Sequence, residues 1–140
     1  MNEKLTLLVI EDDDVAAEGI ERSLKKHGIT CPILFAENGL RGLELLRELG
    51  VGRSPHLPVI ALLDLNMPRM NGFEFLQEVR ADPALTSLVV FVLTTSDVEM
   101  DRARAYQEHI AGYMVKSAVG PQFSRLARLL DEYAQAVVLP

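Results

Sequence analysis

Five short apolar runs, each followed by a longer segment with the period of an amphipathic helix, constrain this chain more than any other feature. The runs are Leu5–Ile10, Pro32–Ala36, Pro58–Leu63, Leu88–Leu93 and Gly112–Val115. Three of them are almost continuously hydrophobic, as expected for parallel strands covered on both faces. The intervening segments predict helices over 14–27, 39–49, 72–80, 97–109 and 120–137. Successive βα units need right-handed crossovers, so the expected fold class is α/β, a doubly wound five-stranded parallel sheet with five flanking helices. At 140 residues there is room for one domain, 1–140, with a core over about 5–136 and a short apolar tail, 137–140.

Local signals support the helix boundaries. Asn38 suits an N-cap, Asp13 or Asp14 could cap the first helix, and Gly28 can terminate it. Ser96 and Glu99 have capping-box spacing, and Pro121 suits a first helical turn. In the last helix Phe123, Leu126, Ala127, Leu130, Tyr133, Ala134 and Val137 form one stripe. Leu129 falls off that stripe, among Arg125, Arg128 and Glu132. With Val137, Val138 and Leu139 of the tail it predicts an exposed apolar contact and a homodimer. The competing reading is a tail folded back over its own core.

The lone Cys31 cannot form an internal disulfide and fits a reducing compartment. No apolar run approaches the ~20 residues of a membrane helix. The opening Met-Asn-Glu-Lys has none of the features of a signal peptide. A net charge of −6 argues against a nucleic-acid footprint. The expectation is a cytoplasmic protein without membrane or nucleic-acid contacts and without an output domain after residue 140.

In an open α/β sheet, ligands bind beyond the carboxyl ends of the strands. Glu11, Asp12, Asp13 and Asp14 follow the first strand, Asp64 the third, Thr94, Thr95 and Ser96 the fourth, and Lys116 the fifth. Acidic helix starts are common, so the first group alone decides little. Asp64 is more telling, because a carboxylate at the end of an apolar strand is expensive without a partner, and Lys116 is placed to be one. Carboxylate oxygens converging on one point suit Mg²⁺ (or Mn²⁺), and Cys31, His27, His56 and His109 are too scattered for zinc. A carboxylate nucleophile, a divalent cation, a hydroxyl and a lysine together suit phosphoryl transfer.

At these residues the sequence resembles a response-regulator receiver domain of two-component signalling. The resemblance rests on Leu7-Leu8-Val9-Ile10-Glu11-Asp12-Asp13, on Leu63-Asp64-Leu65-Asn66-Met67-Pro68-Arg69-Met70-Asn71-Gly72, on Val92-Leu93-Thr94-Thr95-Ser96 and on Gly112-Tyr113-Met114-Val115-Lys116. It implies a flavodoxin-like strand order, 2-1-3-4-5. It also implies that Asp64 accepts the phosphoryl group and that Glu11, Asp12, Asp64 and the Asn66 carbonyl hold the metal. Thr94 and Lys116 become the switch hydroxyl and the phosphate-binding lysine, and Tyr113 the aromatic that turns inward. Asn66 and Ser96 occupy positions that tune hydrolysis. The acidic pair is Glu-Asp where many members have Asp-Asp, and Ser117 stands where the family typically has a cis proline, so the loop after Lys116 is expected to differ. Glu11-Asp12, Val92-Leu93-Thr94-Thr95-Ser96, Lys116-Ser117 and the extended loop Gly50–Pro58 together resemble the single-domain regulators of phytochrome-type histidine kinases.

The implied function is a stand-alone response regulator that accepts a phosphoryl group from a sensor histidine kinase and signals by protein contacts. It would return or relay the group to a histidine phosphotransfer protein, without being an enzyme with a turnover substrate. Two alternatives stand beside it. One is a docking module that is never phosphorylated; the other is a small phosphatase with Asp64 as nucleophile, disfavoured by Asn66 where a general acid would be needed.

Overall fold

The computed structural model describes residues 5–53, 58–67 and 69–140, so His56 and Pro68 lie outside the described residues. The chain runs β1 (Thr6–Ile10), α1 (Asp14–Lys26), β2 (Ile33–Ala36), α2 (Gly39–Glu48), β3 (Val59–Leu63), α3 (Gly72–Ala81), β4 (Val89–Thr94), α4 (Glu99–Gln107), β5 (Gly112–Val115) and α5 (Ser124–Ala136). All strand pairs are parallel and the order is β2-β1-β3-β4-β5.

Alternate side chains of each strand leave on opposite faces of the sheet. Leu7, Val9, Ile60, Leu62, Phe91 and Leu93 meet Ile20 and Leu24 of α1 and Leu126, Ala127 and Leu130 of α5. Leu8, Ile10, Ala61, Leu63, Val90 and Val92 meet Leu43 and Leu46 of α2, Phe75, Leu76 and Val79 of α3, and Ala105 of α4. The near-continuous hydrophobic strands are therefore buried twice over. Among the described residues no helix is long and apolar enough to cross a membrane.

Caps form where short polar side chains precede apolar stripes. Asp13 Oδ1 accepts from the Val15 amide at 2.9 Å, Asn38 Oδ1 from Arg41 at 2.9 Å, and Asn71 with Glu74 closes a capping box at α3. Gly28 follows α1 with φ 77°, in the region open to glycine.

Three expectations need correction. The Ser96–Glu99 capping box does not form; α4 begins at Glu99 behind Val98, and Ser96 instead donates its hydroxyl to Asp101 at 2.7 Å. The last helix begins at Ser124 rather than 120, because Gln122 and Phe123 adopt left-handed φ values of 54° and 60°. Leu139 packs against the α1/α5 face of the core, so it is no free contact residue, whereas Leu129, Val137 and Val138 are exposed.

Arg80, near the end of α3, closes the pole opposite the strand carboxyl ends. Its guanidinium donates to the carbonyls of Glu108 (2.7 Å), Thr86 (2.7 Å), Leu88 (2.9 Å) and His109 (3.1 Å). These bonds hold the α4–β5 turn, where His109 has φ 58°, against the start of β4. A planar fork can serve several carbonyls at once and an ammonium cannot. Arg80→Ala is expected to lower the unfolding free energy by about 2–3 kcal/mol, and Arg80→Lys to recover less than half of it. Urea unfolding should show this as a lower midpoint with an unchanged m-value.

Candidate functional site

Strand register builds this site. Ile10 is paired with Leu63, and the ladder continues one rung further, with the Asp64 amide donating to the Ile10 carbonyl at 3.0 Å. Glu11 is held on its other side, its amide donating to the Ala36 carbonyl at 2.9 Å. Glu11 and Asp64 thus stand on neighbouring strands at the same level, both buried. Asp12 follows with an exposed carboxylate, and one oxygen each from Glu11, Asp12 and Asp64 lies within 4.8 Å of the others.

Lys116 reaches over from the end of β5. Its Nζ lies 2.5 Å from Glu11 Oε1 and 3.5 Å from Asp64 Oδ2. The sequence pointed to Asp64 as the partner; the structure gives Lys116 both carboxylates, with Glu11 the nearer. Burial, then the hydrogen bond to Asp64, pushes the Glu11 carboxyl up to about 7, while Lys116 pulls it down. Burial works against the Lys116 charge, but the hydrogen bond to Glu11 and the charge of Asp64 outweigh it, and its pKa is raised. One ammonium for three crowded carboxylates leaves the pocket short of positive charge.

The donor set fits a hard divalent cation. Three carboxylate oxygens converge with no cysteine or histidine among them, and the exposed Asp12 keeps the pocket open to water. Asp64 Oδ1 also accepts from the Asn66 amide at 3.2 Å, which turns the loop after β3 back across the strand end. Gly72 makes that turn possible: a Cβ there would stand 2.6 Å from the Asp64 carbonyl oxygen and 2.6 Å from Leu65 Cα. The Asn66 side chain itself is exposed.

Thr94 ends β4, fully buried, between the strands that carry Asp64 and Lys116. Its Oγ1 accepts from the Ser96 amide at 3.4 Å. The Ser96 carbonyl accepts from the Tyr113 hydroxyl at 3.0 Å, and the Tyr113 amide donates to the Tyr106 hydroxyl of α4 at 3.1 Å. Tyr113 is half-buried, its ring against the α2/α3/α4 side of the core. The Ser96 hydroxyl is engaged with Asp101, not directed at the carboxylates. Sequence reasoning missed Tyr106 and Asp101. Both lie on a helix whose inward face shows almost no apolar period, so no local pattern marks them.

The chain is similar in sequence and fold to known proteins. The response regulator receiver domain family matches residues 7–127. The probable methanogenesis regulatory protein FilR2 of Methanothrix harundinacea is 34% identical over 128 residues, which is 91% of this chain and 81% of that one. Response regulator Rcp1 of Synechocystis sp. is 29% identical over 140 residues, covering 99% of this chain and 95% of that one. The crystal structure of the Mn²⁺-bound form of Rcp1 superposes with a TM-score of 0.79 at 27% identity, covering 96% and 98% of the two chains. That of the phosphorylated cyanobacterial phytochrome response regulator RcpA does so with a TM-score of 0.82 at 29% identity, covering 96% and 97%. With the β2-β1-β3-β4-β5 sheet and the acidic cluster at its carboxyl edge, this chain belongs to the response regulator receiver domain family.

Proposed function

We propose that the protein is a stand-alone receiver that takes a phosphoryl group from a histidine kinase onto Asp64 and signals through protein contacts. The observation that carries this reading is the convergence of Glu11, Asp12 and Asp64 with the Lys116 ammonium at one strand edge. Asp64 attacks phosphorus through one carboxylate oxygen. A new P–O bond forms as the P–N bond to the donor imidazole breaks, and the nitrogen keeps the electron pair. Glu11, Asp12 and Asp64, with the Asn66 carbonyl, would hold the divalent cation, which when bound supplies positive charge against the phosphoryl oxygens. Lys116 leaves its carboxylate partners to neutralise another phosphoryl oxygen. The acyl phosphate is then lost to water, with Asn66 and Ser96 at positions that tune its lifetime, so the protein acts on itself and has no turnover substrate.

Thr94 couples this chemistry to the surface. Its hydroxyl turns from the Ser96 amide to the phosphoryl group, which releases Ser96 and with it the Tyr113 and Asp101 bonds that hold α4. Asn66, two residues beyond Asp64, carries no acidic proton, which speaks against a phosphatase. RcpA is named as a phytochrome response regulator, and that likeness supports a phytochrome-type sensor kinase as the donor in the cytoplasm. A histidine phosphotransfer protein is the further partner that this chemistry accommodates.

Incubation with a small acyl phosphate and Mg²⁺ should add one phosphoryl group by intact mass. Asp64→Asn or EDTA should abolish it, and Lys116→Ala should slow it roughly tenfold or more. Wild type that gains no mass under any condition overturns the reading in favour of a docking module. The exposed Leu129, Val137 and Val138 support a homodimer through α5 and the tail. Sedimentation at micromolar concentration should show a dimer for wild type and a monomer for Leu129→Glu combined with Val138→Glu; a monomeric wild type removes the dimer.

A further inference from the structure

The segment that leaves the site is strained. After Lys116 the chain makes a 3-10 turn, Lys116–Ala118, buries Val119, and passes Gly120 with φ 83°. Two successive non-glycine residues, Gln122 and Phe123, then adopt left-handed backbone with φ 54° and 60°. L residues disfavour this region, and such a pair persists only where the surroundings over-determine it.

The restraint comes from α1. Ser23, itself buried, donates its hydroxyl to the Phe123 carbonyl at 3.0 Å. The Phe123 ring lies on Gly19, where a Cβ would stand 2.8 Å from Phe123 Cε2. The Arg125 amide closes the segment by donating to the Val119 carbonyl at 2.9 Å. Lys116 therefore stands between two fixed ends: the paired strand β5 on one side and this anchored segment on the other. We propose that Gly19 and Ser23 of α1 hold the Val119–Phe123 segment so that the Lys116 ammonium stays between Glu11 and Asp64, which makes Ser23 and Phe123 positioning residues for phosphoryl transfer. The catalytic consequence rests on the receiver reading above, but the placement of Lys116 does not.

The experiment uses the full chain with Ser23→Ala, Gly19→Ala and the conservative Ser23→Thr. Gly19→Ala adds a helix-favouring residue in α1 while displacing the Phe123 ring, so its effect is not one of helix loss. The Lys116 side-chain NMR resonances of the metal-free protein should move toward those of a free lysine in Ser23→Ala and Gly19→Ala, and return in Ser23→Thr. With a small acyl phosphate at saturating Mg²⁺, the maximal phosphorylation rate of both variants should fall roughly fivefold to twentyfold, with Mg²⁺ affinity within about twofold of wild type. Lys116 resonances unmoved in both variants, or an unchanged maximal rate, overturn the proposal. Wild type that takes up no phosphoryl group sinks the receiver reading instead, and the resonances alone then decide the placement. Should Ser23→Ala not fold, the same two measurements on Gly19→Ala decide the matter.

Discussion

The in-register pairing of β1 with β3 is the constraint on which the rest depends. Ile10 and Leu63 are partners, so the next residues, Glu11 and Asp64, stand side by side at the ordinary interstrand spacing of about 4.8 Å. Two buried carboxylates at that distance repel strongly, and Asp12 adds a third oxygen donor. A register shift of one residue would send one of them to the opposite face and dissolve the cluster. The crowding is therefore built into the sheet, and either a proton on Glu11 or a cation among the carboxylates relieves it. Lys116 offsets part of that charge from two strands beyond β3 and three beyond β1, which ties the end of β5 to the ends of β1 and β3.

The helices are not anchored equally. On one face α1 and α5 bury full apolar stripes, and α1 also grips the segment after Lys116 through Ser23. On the other face α4 buries Ala105 alone and begins without a side-chain cap. It is joined to the sheet largely by hydrogen bonds that converge on Ser96 and Tyr113. A helix held by a few polar contacts and little apolar area lies at the low end of local stability. That contrast puts the rigid scaffold beneath the lysine and the movable element beside the buried threonine. Thr94 touches the same loop, so a small displacement at the acidic pocket has a short physical route to α4.

Much of this was legible in the amino-acid order because the signals are local. Near-continuous apolar runs mark strands buried on both faces, and Asn38 and Asp13 announce helix starts that need only the next three residues to be satisfied. Strand ends identify Glu11, Asp12, Asp64, Thr94 and Lys116 because an α/β sheet brings its carboxyl edge together whatever the loops do. Where the reading slipped, a distant group had overridden a local preference. Ser96 abandons its cap because Thr94, Asp101 and Tyr113 all engage it. Residues 120–123 leave the helix because Ser23, a hundred positions away in sequence, holds the Phe123 carbonyl. Leu139 folds onto the core its own helix helped to build.

The sequence by itself determined the α/β class, the element boundaries to within a few residues, and the set of side chains that meet at the strand edge. All of these follow from periodicity and from the way an open α/β sheet gathers its strand carboxyl ends along one edge. Only the tertiary structure decided that Lys116 sits closer to Glu11 than to Asp64, that Tyr106 and Asp101 fasten α4, and that α1 holds the strained segment after β5. Those are choices among partners of similar chemistry. They are settled by how the packed elements meet in space, where no periodic pattern in the sequence carries information.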